Sequence, residues 1–162
     1  MFNIFNKQKS LSIYAPMNGK LIDLTEVEDP VFSEKMVGDG VAIEPNENIV
    51  LSPVKGKITL LFPTKHAIGI ETEEGLEILI HLGIDTVELK GEGFNAFVKV
   101  GDRVNIGDKL LEMNIEIIQE KGKSTHTPIL ITNMDKVKEL KLMNKDSVKA
   151  GKDIIMEIIL KD

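Results

Sequence analysis

The chain has 162 residues, of which 42% are hydrophobic and 28% charged, a composition typical of a single globular domain. Its net charge of −6, with no basic stripe along the sequence, argues against nucleic acid as a partner. The absence of cysteine excludes disulfides, thiolate zinc sites and a cysteine nucleophile. No apolar run approaches the roughly 20 residues of a membrane-spanning helix, and no secretory signal is recognisable at the start. We therefore expect a cytoplasmic protein.

The first predicted segment is a tail. Residues 1–12 contain no clear strand and precede the first proline turn, so we predict a flexible N-terminal tail over this range. The alternative is a small membrane-surface anchor built on Phe2, Ile4 and Phe5 together with Lys7 and Lys9. Residues 13–162 are predicted to form the single folded domain.

Short strands are predicted along most of this domain, because apolar residues alternate or form brief runs that end at glycine, proline or asparagine. Examples are Gly40–Ile43, Gly56–Leu61, Ile68–Ile70, Glu77–His81 and Asp153–Ile158. Turn signals recur about every ten residues, which favours an all-β fold: an antiparallel β-sandwich or distorted barrel. Very little helix is expected, no more than a turn or two near residues 115–121.

Two weak internal repeats indicate duplicated strand-turn units. The proline turn and strand of Pro16–Leu21 recur at Pro53–Ile58, and the glycine turn of Val104–Leu111 recurs at Val148–Ile155.

The candidate chemistry centres on two of the three histidines. Histidine has an unperturbed pKa of about 6.5, so much of it is neutral and nucleophilic at cytosolic pH. His81 ends the strand Glu77–His81 on the face opposite Ile78 and Ile80, and His66 opens the strand before it. If the two strands form a hairpin, the two rings lie side by side, close to the hydroxyl of Thr64.

Such a pair has three uses, and the residues alone leave all three open. One imidazole can attack phosphorus while the other ring and the hydroxyl donate hydrogen bonds to phosphoryl oxygens. The pair can supply half of a zinc site, although no third ligand is apparent. Both rings can also be structural. His126, with polar neighbours on all sides, is predicted to be an ordinary loop residue.

The motifs around these histidines resemble those of the glucose-family IIA component of the bacterial sugar phosphotransferase system. They are Phe62–Gly69, Glu77–Val87 and Leu89–Phe94, and agreement extends to Val31–Gly40 and Thr127–Leu130. The resemblance runs from about residue 15 to the C-terminus, and so identifies residues 13–162 as a IIA phosphocarrier domain. It implies an antiparallel β-sandwich and favours phosphoryl transfer among the three uses.

The resemblance also implies a role for each site residue. His81 would be phosphorylated on its outer ring nitrogen, His66 would support transfer, and Thr64 would complete the polar set. The phosphoryl group would come from a small histidine phosphocarrier protein and pass to a cysteine on the IIB domain of a sugar permease. We expect a monomer that requires no cofactor, with regulated enzymes or transporters as further candidate partners.

A partner-binding depression around the histidines is implied as well. Its expected lining, taken over by position, comprises Val31, Phe32, Met36, Val37, Phe62, Leu79, Asp85 and Val87. In some relatives the two histidines share zinc with a partner's carboxylate, so zinc at His66 and His81 is expected only in a complex.

Two rival classes fit the residues less well. A β-rich zinc metallopeptidase needs a His-x-His pair, and Gly83 stands two residues after His81. A lipoyl or biotinyl carrier presents a lysine at a hairpin tip, for which Asp135-Lys136-Val137 is a near match.

Overall fold

A computed structural model describes residues 9–162 and shows an antiparallel all-β fold, as the sequence predicted. The described strands are β1 (Ser10–Tyr14), β2 (Gly19–Asp23), β3 (Asp39–Pro45), β4 (Ile49–Leu51), β5 (Gly56–Leu61), β6 (Ala67–Thr72), β7 (Glu77–His81), β8 (Phe94–Ala96), β9 (Arg103–Val104), β10 (Lys109–Met113), β11 (Thr127–Ile131), β12 (Val137–Leu142), β13 (Ser147–Val148) and β14 (Ile154–Leu160). The five strands predicted from sequence are all present.

Helix is confined to short segments. The helix α2 (Ile115–Glu120) lies where the sequence predicted a turn or two, and the Asn114 side chain caps it. The four-residue helix α1 (Pro30–Ser33) was not predicted. Three 3-10 segments complete the described helical structure: Leu24–Glu26, Thr86–Leu89 and Met134–Lys136.

The strands form one large sheet and two small ones. The large sheet has the order β13-β2-β3-β11-β7-β6-β5-β9, and the small sheets have the orders β1-β14-β12 and β4-β10-β8. The large sheet is nearly symmetric, because β13 flanks the antiparallel pair β2–β3 in the same way that β9 flanks the antiparallel pair β5–β6. Turn contacts repeat too: Gly107 N–H donates to the Ser52 carbonyl, and Gly151 N–H donates to the Ala15 carbonyl. This topology confirms the duplicated strand-turn units.

The main core lies between these sheets. On β7, Ile78 and Ile80 are almost fully buried in that core, whereas Leu79 and His81 are half-buried on the other face. The alternation predicted for this strand is therefore correct. It leaves the side chain of His81 on the outside of the large sheet.

The predicted tail is too long at its C-terminal end. Ser10, Leu11 and Ser12 belong to β1, which pairs with β14 at the other end of the chain. This edge strand has only two inward apolar positions, Leu11 and Ile13, and it is stabilised by a distant partner strand, so its local sequence gave little sign of it. The rest of the tail prediction, and the proposed anchor residues, fall mainly on residues 1–8, outside the described part.

Among residues 9–162, none of the helices has the length and apolar character needed to cross a membrane.

Candidate functional site

The hairpin of β6 and β7 brings His66 and His81 together. Ala67 pairs with His81 across the hairpin, and the Leu82 N–H donates a hydrogen bond of 2.7 Å to the carbonyl of His66. The two imidazole centroids lie 5.3 Å apart, with an angle of 76° between the ring planes. The proximity predicted from the sequence is confirmed.

A backbone carbonyl determines which nitrogen of His81 is free. The Nδ1 atom lies 2.7 Å from the carbonyl oxygen of Gly83. Because a carbonyl can only accept, this contact assigns the proton to Nδ1. In the neutral ring Nε2 then carries the lone pair, and this is the nitrogen farther from the backbone.

Gly83 can place its carbonyl there because it lacks a side chain. Its φ of 76° lies in the left-handed region. A Cβ atom would lie 2.6 Å from Cγ2 of Thr86 and 2.8 Å from the carbonyl oxygen of Ser124. Both contacts are too close for carbon, so any other residue would displace the loop that holds His81.

His66 is more enclosed and has a hydroxyl partner. Only 4% of the residue is exposed, and its Nδ1 lies 2.6 Å from Oγ1 of Thr64. The turn that brings Thr64 to this position includes Lys65, with a φ of 60° and its N–H hydrogen-bonded to the carbonyl of Phe62. Thr64 and both histidines therefore form one polar cluster, as the sequence predicted.

Both histidines favour their neutral forms. Burial lowers the pKa of His66, and the nearby His81 lowers it further. Burial also lowers the pKa of His81, although the Gly83 carbonyl and the charges of Asp29 and Asp85 oppose this effect. The result is an imidazole that is unprotonated at Nε2 near neutral pH, which a nucleophile requires.

Two aromatic rings continue the row of imidazoles at either end. Phe32 packs against His81, with centroids 4.8 Å apart, and Phe62 packs against His66 at 5.1 Å. Phe32 is only 5% exposed, whereas Phe62 is 36% exposed. Both residues were predicted to line a partner surface. Phe62 is exposed enough for a partner to contact, whereas Phe32 is almost fully covered.

The other predicted partner residues lie on segments next to this row. Val31, Met36 and Val87 are exposed, by 39%, 71% and 51%. Val37 and Leu79 are partly buried, and both pack against the cluster that contains Phe32. Asp85 follows His81 on the same loop and acts on it through its charge.

Val31 and Phe32 were predicted to lie beside the histidines, but the helix α1 that carries them was missed. Asp29 caps this helix by accepting from the Val31 N–H, and Pro30 occupies the first helical position. An Asp-Pro pair is a recognisable helix start, so this signal was present in the sequence. The fold brings α1 onto His81, about fifty residues further along the chain, and no local pattern shows that contact.

His126 lies in the loop before β11, as predicted. Its Nε2 lies 3.8 Å from the Glu44 carboxylate. Across residues 9–162, no group of three or more His, Cys, Asp or Glu is arranged to hold a metal ion.

Fold and site together define an antiparallel β-sandwich that presents two adjacent histidines on the outer face of its large sheet, His66 buried and His81 half-buried. Residues 11–137 match the family model described as phosphoenolpyruvate-dependent sugar phosphotransferase system, EIIA 1. The chain therefore belongs to this family of phosphocarrier components of sugar transport.

Relatives of known name agree with this assignment. The chain is 49% identical over 146 residues to the PTS system glucose-specific EIIA component of Halalkalibacterium halodurans, covering 90% of this chain and 84% of that one. It is 49% identical over 160 residues to the protein of the same name from Oceanobacillus iheyensis, covering 98% and 97%. Among solved structures, the glucose permease IIA from Mycoplasma capricolum matches with a TM-score of 0.87 and 45% identity, covering 92% and 96%.

Proposed function

We propose that this chain carries a phosphoryl group on Nε2 of His81, accepting it from a histidine phosphocarrier protein and donating it to a cysteine of a IIB domain. The observation that carries the proposal is the Nδ1–Gly83 hydrogen bond, which leaves Nε2 as the free nucleophile beside His66. Membership of the sugar phosphotransferase family supports it. Because the named relatives are glucose-specific, the IIB domain of a glucose permease is the first acceptor to test.

In the first step, the Nε2 lone pair attacks phosphorus and forms a P–N bond. The P–N bond of the donor's phosphohistidine breaks, and the donor imidazole leaves with that electron pair. His81 keeps its Nδ1 proton throughout, because the Gly83 carbonyl holds it.

In the second step, the thiolate of the acceptor attacks phosphorus, and the P–N bond to His81 breaks with return of its electron pair to Nε2. Charge spreads over the three equatorial oxygens in this transition state. We assign His66 as the donor to these oxygens: its Nδ1 lies 2.6 Å from the Thr64 hydroxyl, which can donate to it, and in that tautomer the proton is on Nε2.

The exposed apolar residues around the site form the proposed partner surface: Val31, Met36, Phe62 and Val87. Both partners must approach the same nitrogen, so they use this surface in turn. Apolar contacts at such a surface lose water on docking and bring the two reacting groups together.

Zinc binding in a complex is the remaining part of the proposal. The two imidazoles could supply two ligands, and a carbonyl that accepts from the other nitrogen of His81 is a common outer-shell contact of metal-binding histidines. A partner's carboxylate would have to supply the third ligand, since zinc sites use three or four protein ligands.

The nucleophile can be tested with intact mass spectrometry after incubation with phosphoenolpyruvate and the upstream proteins. We expect the chain to gain one phosphoryl group, His81→Ala to gain none, and His126→Gln to behave as the unaltered chain. An acid-labile phosphoryl group on His81→Ala would reassign the nucleophile. A lipoyl or biotinyl mass, or no modification of the unaltered chain, would remove the proposed function.

A further inference from the structure

Phe32 occupies an unusual position for a residue of a partner surface. It is 5% exposed, and its ring lies 4.8 Å from the His81 ring, at an angle of 53°. A ring that is so deeply buried has little area left for a partner. The ring instead contacts the imidazole that the proposed function makes the nucleophile.

The structure holds Phe32 firmly in this place. The Phe32 N–H donates to the Asp29 carbonyl, and the Asp29 side chain caps the first turn of α1. The side chain belongs to a small apolar cluster that is separate from the main core. Its buried members are Ile22, Leu24, Val27, Phe32, Ala42, Ile84 and Leu130. Phe32 is therefore packed between this cluster and the His81 ring.

The His81 ring is restrained at three positions. Its Nδ1 is hydrogen-bonded to Gly83, the His66 ring meets it nearly perpendicularly, and Phe32 contacts it as well. Without the Phe32 contact, rotation about the Cβ–Cγ bond could separate Nδ1 from the Gly83 carbonyl. A ring freed in this way can also carry its proton on Nε2, and that tautomer has no lone pair on the attacking nitrogen.

We propose that Phe32 is a positioning residue: its ring contact keeps His81 in the Nδ1–H tautomer with Nε2 facing outward. This inference rests on the proposed function, because it concerns the lone pair on the same nitrogen, Nε2 of His81. Aromatic pairs of this geometry typically change an equilibrium roughly 3- to 10-fold, and we expect an effect of that size.

The test uses Phe32→Leu, which keeps apolar bulk and removes the flat ring. Two readouts are required, both on the full chain. The first is the ring nitrogen chemical shifts of His81 in the unphosphorylated protein above pH 7.5, which report the tautomer directly. The second is the rate of phosphoryl acceptance as the concentration of the phosphorylated donor is varied.

We expect Phe32→Leu to show a mixture of tautomers and a roughly 3- to 10-fold lower maximal rate of acceptance, with a smaller change in the donor concentration that gives half-maximal rate. The matched control is Val27→Ala, which removes volume from the same cluster without removing the ring. It should retain the Nδ1–H tautomer. If Phe32→Leu proves unfolded, Phe32→Met, with an unbranched apolar side chain, takes its place.

Two outcomes would overturn the inference. One is an unchanged tautomer in Phe32→Leu, with an unchanged maximal rate and a higher donor concentration needed for half-maximal rate. That result would make Phe32 a docking residue. The other is an equal tautomer shift in Val27→Ala, which would assign the effect to general loosening of the cluster. Failure of the unaltered chain to accept a phosphoryl group is a separate result, because it removes the proposed function. The nitrogen chemical shifts would still show whether the Phe32 contact sets the tautomer of His81.

Discussion

His66 and His81 are held by different partners, and this difference separates their chemistry. His81 donates from Nδ1 to a backbone carbonyl, whereas His66 meets a threonine hydroxyl. A carbonyl cannot donate a proton, but a hydroxyl can both donate and accept. His81 is therefore confined to one neutral tautomer, and His66 can keep a proton on the nitrogen that would face a phosphoryl group.

Substitution of His66 by glutamine separates a supporting role from a nucleophilic one. Glutamine keeps a hydrogen-bond donor, so acceptance by His81 should remain close to normal. It cannot become cationic, as the neutral His66 imidazole can once the negative charge of a phosphoryl group lies beside it, so it should stabilise the transition-state charge less than His66 does. Onward transfer to the IIB cysteine should therefore fall much more than acceptance.

The two half-reactions can be measured separately with purified partners, starting the second from the isolated phosphorylated chain. Thr64→Val is a useful companion, because it leaves His66 in place without its hydroxyl partner. Equal losses of the two rates in His66→Gln would mean that His66 mainly orders the site. Normal rates in both would exclude it from the mechanism.

At the level of single elements, α1 contributes both an aromatic contact and a nearby negative charge to His81. Asp29 caps the helix through its side chain, and its negative charge also raises the pKa of His81. Two substitutions distinguish these effects. Asn keeps a capping oxygen but no charge, whereas Ala removes both.

We expect Asp29→Asn to lower the pKa of His81 while leaving stability nearly unchanged. Asp29→Ala should lower that pKa in the same direction and also cost about 1 kcal/mol through loss of the cap. Histidine pKa values can be followed by NMR titration, and stability by urea unfolding. If the pKa of His81 in both variants equals that in the unaltered chain, the charge of Asp29 has no effect on the imidazole.

The elements also show what the sequence could and could not predict. Alternation in Glu77–His81 and the spacing of His66 predicted the hairpin and the paired rings, because these depend on neighbouring strands. The Phe32–His81 contact joins α1 to a strand about fifty residues away, and periodicity carries no information on such distant packing. The start of β1 was missed for the same reason, since its partner β14 lies at the other end of the chain.

The functional prediction came from the family motifs, because residue types and spacing alone did not decide between the possible roles of the two histidines. Two adjacent histidines and a hydroxyl fitted phosphoryl transfer, zinc binding or a structural role equally well. Local motifs such as Thr64–Ala67 and Ile80–Asp85 are informative because they contain both the reactive groups and the turns that position them. The left-handed φ values of Lys65, Gly83 and Asp85 fall within these motifs.

For the whole molecule, the exposed apolar residues on the histidine face are expected to govern encounters with both partners. Phe62→Lys introduces a charge that must be desolvated on docking, so acceptance and donation should both weaken at low protein concentration. Ile106→Lys is the control, since Ile106 is also exposed, by 42%, and follows β9, which pairs with the opposite end of β5. Unchanged kinetics of Phe62→Lys with both partners would exclude this surface.

The two histidines should also make the stability of the domain depend on pH. Both pKa values are lowered by burial, so between the folded-state values and the ordinary value of about 6.5 the unfolded chain binds more protons than the folded one. The free energy of unfolding must therefore rise with pH across this window. Equivalently, stability contributed by the neutral pair is lost as the pH falls from about 6.5 through the folded pKa values.

Urea unfolding at intervals between pH 5 and pH 7.5 tests this expectation. The doubly substituted chain, His66→Gln with His81→Gln, lacks both titrating rings and should show a flatter dependence in that window. Carboxylates titrate mainly below it, so they contribute little to the difference between the two chains. Equal slopes would mean that the imidazoles are as readily protonated in the folded state as in the unfolded chain. That result would contradict a site in which His81 stays neutral at Nε2 by burial, and the nucleophile would then have to be activated only when a partner docks.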